Sequence, residues 1–174
     1  MNTYAVPHTS APSAPLHGTG SGNKFYTQFL NPGPGIEAAQ ARIIPAGSRK
    51  ALSVLRYDRR LSGTGRVQRL HQEDFAQANG IPPGRKYERG TLAGPSLAAL
   101  LATGRYLPPK DALALLDQVI FNILVANTDA HAKNYSLLRE VGGGTRLAPL
   151  YDVSTVLGWP HVVQDFAQNI AGKK

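Results

Sequence analysis

The sequence predicts an α+β domain over residues 36–174, mainly helical and carrying two β-hairpins, and three observations predict it. Residues 111–126 repeat apolar side chains at the three- and four-residue steps of a helix. Two pairs of short apolar runs are each joined by turn residues. The composition also changes sharply after residue 35.

Residues 1–35 form a Pro/Gly-rich segment with no helical or strand period, and disorder is the expectation. Only Phe25, Tyr26, Phe29 and Leu30 offer packing side chains there. The Gly18-Thr19-Gly20-Ser21-Gly22 run invites comparison with a phosphate loop. It lacks both the preceding apolar strand and the Gly-Lys-Ser/Thr ending that give such loops their geometry.

Order is expected from residue 36. Residues 41–44 and 50–57 read as the strands of a first hairpin turned by Pro45-Ala46-Gly47-Ser48. A Gly63-Thr64-Gly65 turn follows, then a short helix over 73–79 with Gly80 at its stop position. Residues 81–94 read as a loop, and 95–103 as a helix with Pro95 in its first turn. The helix at 111–126, capped by Asp111, carries Leu113, Leu116, Ile120, Ile123 and Leu124 as its periodic face, with Leu115 and Val119 on the flanks. An element this apolar belongs in the middle of a domain. The second hairpin joins 135–138 to 146–150 through Gly142-Gly143-Gly144.

Composition narrows the function classes. There is no cysteine, so disulfides and thiolate metal sites are excluded. No run of about 18 apolar residues occurs and no secretory leader is visible, so no membrane partner and a cytoplasmic location are expected. The formal charge is +8. Between Arg42 and Arg89 stand eleven Lys/Arg against four Asp/Glu, a surface that attracts nucleotides, nucleic acid or an acidic partner.

The chemistry gathers after the apolar helix, where Asp129, His131, Lys133 and Asn134 fall on one loop and Asp152 follows one hairpin later. An Asp, an Asn five residues on and a carboxylate at the next strand end is the order used for phosphoryl transfer by protein kinases. The first takes the substrate hydroxyl's proton, and the other two offer hard oxygens to Mg²⁺. Lys133 between them can meet the γ-phosphate. Asp129 and Asn134 alone also suit a capped turn. The helix before, the hairpin between and Asp152 after make the combination specific. His131 has no nearby His or Cys to complete a zinc site.

Residues 127–138 (Asn-Thr-Asp-Ala-His-Ala-Lys-Asn-Tyr-Ser-Leu-Leu), followed by 147–155 (Leu-Ala-Pro-Leu-Tyr-Asp-Val-Ser-Thr), closely resemble the catalytic core of HipA-family serine/threonine kinases, the toxins of bacterial toxin–antitoxin pairs. Residues 51–60 resemble that family's hinge strand, and 70–75, 80–83 and Lys86-Tyr87-Glu88 resemble a segment of its C-lobe. The resemblance implies a partial kinase catalytic domain over 36–174: a protein-kinase-like C-lobe with the N-lobe largely missing. It implies ATP and Mg²⁺ as cofactors and a protein hydroxyl as acceptor. A HipB-like antitoxin is implied as partner, with DNA reached through it. By position it makes Asp129 the proton acceptor and Asn134 and Asp152 the Mg²⁺ ligands. His131, Lys133 and Tyr151 would line the nucleotide site, and Leu55, Arg56 and Tyr57 would form the hinge against adenine. The family's glycine-rich loop and nucleotide-binding lysine have no counterpart before residue 36, so impaired activity is expected. A non-catalytic remnant that binds an antitoxin or DNA-associated partner is the alternative. A metal-dependent phosphohydrolase is more distant, because it leaves Asn134 and Lys133 unused.

Overall fold

A computed structural model describes residues 3–5, 36–89, 93–140, 142–158 and 161–173. The Gly18-to-Gly22 run, the aromatic residues at 25–29 and most of the segment expected to be disordered lie outside them. Among the described residues, no helix is long and apolar enough to cross a membrane.

Strand β1 (Thr3–Ala5) and strand β2 (Ala41–Ala46) flank β3 (Arg49–Leu55) in a three-stranded antiparallel sheet of order β1-β3-β2. The β2–β3 hairpin is the first of the two expected. Its strands run further toward the turn, so that Pro45 pairs with Lys50 and only Gly47 and Ser48 remain outside the ladder. Gly47 sits at φ 62, which a glycine adopts without Cβ strain.

β4 (Arg59–Leu61) and β5 (Val67–Arg69) then form a small hairpin of their own. β6 (His71–Asp74) leads into the single turn of α1 (Phe75–Ala78). The helix expected over 73–79 therefore begins two residues late, because Glu73 and Asp74 pair with Leu137 and Ser136. Its stop is as expected, with Gly80 at φ 63. Helix α2 (Leu97–Ala102) is capped by Ser96, whose Oγ accepts the Ala99 N–H, and it tightens into a 3₁₀ turn at Thr103–Tyr106. Gly104 thus lies inside that turn instead of ending the helix.

Helix α3 (Pro109–Leu124) is the long one. It starts before Asp111, whose Oδ2 instead accepts the Leu147 N–H at 2.8 Å and ties the helix to strand β8 (Thr145–Leu147). β8 pairs with β7 (Ser136–Arg139), giving a second three-stranded sheet of order β6-β7-β8 and the second expected hairpin.

Two expectations are corrected. The domain is not mainly helical: among the described residues, three α-helices of 4, 6 and 16 residues stand beside eight strands. The segments carrying β4 to β6, for which no strand was expected, form a local hairpin and a long-range pairing with β7. The predicted periodic face of α3 is also not its buried face, except at Ile123, which packs partly buried against the core. Leu115, Gln118, Val119 and Asn122 are buried, whereas Leu113, Leu116, Ile120 and Leu124 are 67%, 41%, 45% and 74% exposed.

The core lies between α3, α1, α2 and the β6-β7-β8 sheet, where Phe75, Leu100, Leu115, Val119, Tyr135, Leu137 and Leu147 pack together. Each such large apolar side chain contributes on the order of 2 kcal/mol by leaving water. The Phe75 and Tyr135 rings lie 5.8 Å apart in a tilted contact.

Candidate active site

Helix α3 delivers the chain to the site through polar contacts buried on its core side. Gln118 Nε2 donates to the Ala148 carbonyl at 3.0 Å, and Asn122 Nδ2 donates to the Gln118 carbonyl and to the Tyr135 hydroxyl. Asn122 Oδ1 accepts from Asn127 Nδ2 at 2.7 Å. This chain of amides joins the helix, the loop after it and the β7–β8 hairpin into one unit. Ala126, at φ 52, turns the backbone out of the helix.

The loop then closes on itself. The Asp129 carbonyl accepts the His131 N–H at 2.8 Å, and a 3₁₀ turn at Ala132–Asn134 follows. Asn134 is 5% exposed. Its Nδ2 donates to the Asp129 carbonyl at 3.2 Å and lies 3.5 Å from Asp152 Oδ2, the outer edge of a hydrogen bond. One amide therefore touches both the Asp129 backbone and the Asp152 side chain. Asp152 itself sits at φ 55, a left-handed conformation uncommon outside glycine and better tolerated by Asp than by most residues. Backbone outliers of this kind cost on the order of 1–3 kcal/mol and persist where the surroundings enforce them.

The Asp129 side chain is 52% exposed, open to an incoming group. Its Oδ1 accepts from the Tyr87 hydroxyl at 2.5 Å. The Tyr87 pKa is raised to about 12, by burial first and by Asp129 second. His131 Nε2 lies 3.9 Å from the same Oδ1 and 2.8 Å from Lys86 Nζ. Burial holds the His131 pKa below its ordinary value, Asp129 opposes this, and the Lys86 ammonium reinforces it. Burial and Lys86 thus favour the neutral imidazole. The Tyr87 ring packs edge-on against it, with centroids 5.1 Å apart.

Beside this group lies a cleft of about 380 Å3 lined by Arg56, Asp58, Arg69, Gln72, Asp74, Gln77, Lys133 and Tyr151. Lys133 Nζ donates to Asp74 Oδ2 at 2.6 Å, and the Tyr151 hydroxyl donates to the Lys133 carbonyl at 2.8 Å. Arg56 and Tyr57, two of the three expected hinge residues, border this region. Arg56 forks onto Asp58 at 2.7 and 2.6 Å, and the Tyr57 ring lies 5.9 Å from that of Tyr151. Leu55 ends β3 at 40% exposure and is not among the cleft's lining residues.

The structure thus brings Asp129, His131, Lys133, Asn134, Tyr151 and Asp152 together. The sequence reading gave no role to Tyr87, Lys86, Asp74 or Gln72, each of which touches this group or lines the cleft. Lys86 and Tyr87 fell in the expected 81–94 loop and Asp74 in the expected 73–79 helix, and beyond that these segments, with Gln72, were noted for their resemblance. Nothing in a single sequence signals that 42 residues of separation close to a hydrogen bond. Among the described residues, no cluster of three or more His, Cys, Asp or Glu could hold a metal by itself. The donor set at Asn134 and Asp152 nevertheless suits Mg²⁺, which takes a few hard oxygens from protein and the remainder from water and phosphate.

The fold is α+β, and the order Asp129, Asn134, Asp152 around a loop and a hairpin is the order that protein kinases use for phosphoryl transfer. Residues 25–174 match the profile of the HipA-like C-terminal domain, and the chain belongs to that family. It is 39% identical over 155 residues to Y4mE of Sinorhizobium fredii, which carries a provisional kinase name; the match covers 87% of this chain and 36% of that protein. It is 34% identical over 161 residues to the serine/threonine-protein kinase toxin HipA of Shewanella oneidensis, covering 86% of this chain and 36% of the relative. The fold matches a solved structure of Shewanella oneidensis HipA, in complex with HipB and operator DNA, with a TM-score of 0.78 at 34% identity, over 87% of this chain and 38% of that one. The chain therefore spans little more than a third of the length of the relatives it matches.

Proposed function

We propose that this region carries the catalytic machinery of a HipA-type serine/threonine kinase, a toxin in a toxin–antitoxin system, within a protein-kinase-like fold. The observation that carries the proposal is the Asn134 amide set between Asp129 and Asp152. Asp129 takes the proton of a protein Ser or Thr hydroxyl at its exposed carboxylate, while Tyr87 keeps Oδ1 hydrogen-bonded and holds the rotamer. Asn134 and Asp152 hold Mg²⁺, and His131, Lys133 and Tyr151 line the nucleotide site. Arg56 and Tyr57, with Leu55 before them, serve as the hinge against adenine. ATP supplies the phosphoryl group, and Mg²⁺ neutralises the charge on it.

Among the described residues, no glycine lines the cleft, and protein kinases cradle the phosphates with a Gly-rich loop. We therefore propose weak Mg·ATP binding and slow transfer by this chain alone. The test is ATP titration with and without Mg²⁺, beside a transfer assay. Asp129→Asn is expected to keep binding and lose transfer, and Asp152→Asn to lose the Mg²⁺-dependent part of binding. Binding that ignores both Mg²⁺ and Asp152→Asn contradicts the proposal.

A second reading is favoured by the exposed stripe on α3: a docking role toward a HipB-like antitoxin, with DNA reached through it. A solved HipA complex contains both HipB and operator DNA, which supports that partner class. Failure of this chain to associate with such an antitoxin at micromolar concentration sinks that reading.

A further inference from the structure

Lys133 is tied at both ends. Its carbonyl accepts from the Tyr151 hydroxyl at 2.8 Å, and its ammonium donates to Asp74 Oδ2 at 2.6 Å. The other carboxylate oxygen of Asp74, Oδ1, accepts the Gln77 N–H at 2.8 Å and caps α1, while Gln77 Oε1 accepts the Asp74 N–H at 3.0 Å. One carboxylate thus anchors a lysine and a helix start together. Asp74 is itself fixed from behind by the pairing of β6 with β7, where it stands opposite Ser136. Ser136 Oγ contacts the Tyr151 hydroxyl at 2.6 Å, which closes the circuit back to Lys133. The Asp74 side chain is 13% exposed and that of Lys133 is 32%, and both line the cleft with Arg56, Arg69 and Tyr151.

We propose that Asp74 is a positioning residue: it fixes the Lys133 ammonium on the cleft wall, where it meets the phosphates of a bound nucleotide. This rests on the nucleotide-site reading given above. A lysine ammonium has three donors, and the ion pair uses one, leaving two for phosphate oxygens. A long lysine stem with four rotatable bonds otherwise disperses that charge over many positions. The requirement is for a carboxylate at the β6–α1 junction. The cap alone is met equally well by Asn or Ser.

That difference supplies the test. Asp74→Asn keeps the helix cap and removes the charge; Asp74→Ser does the same should the first variant not fold. The affinities of the full chain for ATP and for adenosine, both with Mg²⁺, give a ratio that reports contacts to phosphate. Asp74→Asn is expected to lower that ratio several-fold while the adenosine affinity and the Tm stay put, and Asp74→Glu to recover part of it. On a Lys133→Ala background the Asn substitution is expected to add nothing. A merely structural role lowers both affinities together, and a pure field effect raises the ratio, since a negative charge has gone. Either result overturns the proposal, as does an unchanged ratio or additive losses. If the unaltered chain shows no preference for ATP, the nucleotide reading fails and this inference with it. If Asp152→Asn abolishes Mg²⁺-dependent binding while Asp74→Asn leaves the ratio intact, only the role of Asp74 falls.

Discussion

Asp58 shows how much of this fold rests on single side chains that a sequence does not flag. In a Tyr-Asp-Arg-Arg run it reads as a turn residue, yet it is 1% exposed. The corner between β3 and β4 folds over it, and its carbonyl accepts the Leu70 N–H at 2.9 Å. Burial alone would raise the carboxyl's pKa, but Arg56 and Arg59 bond it and hold it below the ordinary 3.8. A depressed folded-state pKa gives stability that is present above the unfolded value and is lost as pH falls through the folded one. Acid unfolding of the native chain is therefore expected to steepen below pH 3.8, and Asp58→Asn to flatten that limb. At neutral pH the same substitution removes the carboxylate that Arg56 and Arg59 share; both guanidinium groups stay partly exposed, and the expected cost in urea unfolding is about 1.5 kcal/mol. An unchanged acid limb contradicts the assignment. Asp129, Asn134 and Asp152 were legible at the residue scale because a spacing of five and a return hairpin are local features. Tyr87 and Asp74 were not, because their contacts depend on tertiary closure.

At the scale of elements, α3 is the instructive case. Its length and helical character were plain from the sequence, but two of its faces are apolar, and periodicity alone does not say which one turns inward. Four large apolar residues, Leu113, Leu116, Ile120 and Leu124, are on the outside. The buried face mixes Leu115 and Val119 with the amides of Gln118 and Asn122, which read as surface residues in a sequence. Those amides become acceptable inside because Ala148, Tyr135 and Asn127 satisfy them. The consequence is measurable. Asn122→Ala, which strands the Asn127 amide and the Tyr135 hydroxyl, is expected to destabilise the chain by about 2 kcal/mol. Leu113→Lys or Leu124→Lys is expected to change stability by no more than about 0.5 kcal/mol. Chemical denaturation that ranks them the other way round contradicts the burial pattern.

For the whole molecule, the two hairpins and the site loop were foreseen, and the balance of helix and strand was not. Hairpins announce themselves through turn residues close in sequence. The pairing of β6 with β7 joins His71 to Arg139 and Glu73 to Leu137, a separation that polar alternation in four residues does not reveal. That pairing nonetheless brings Asp74 to Lys133 and sets the floor of the cleft, so the long-range ladder builds the part of the site that local reading missed. The central claim is that Asn134 and Asp152 form a cation site next to Asp129. It is tested most directly by titrating Mn²⁺, as a paramagnetic stand-in for Mg²⁺, into the isotopically labelled chain with ATP present. Line broadening is expected to centre on the backbone amides around residues 134 and 152 and to vanish in Asp152→Asn. Broadening centred elsewhere, or undiminished in that variant, contradicts the account.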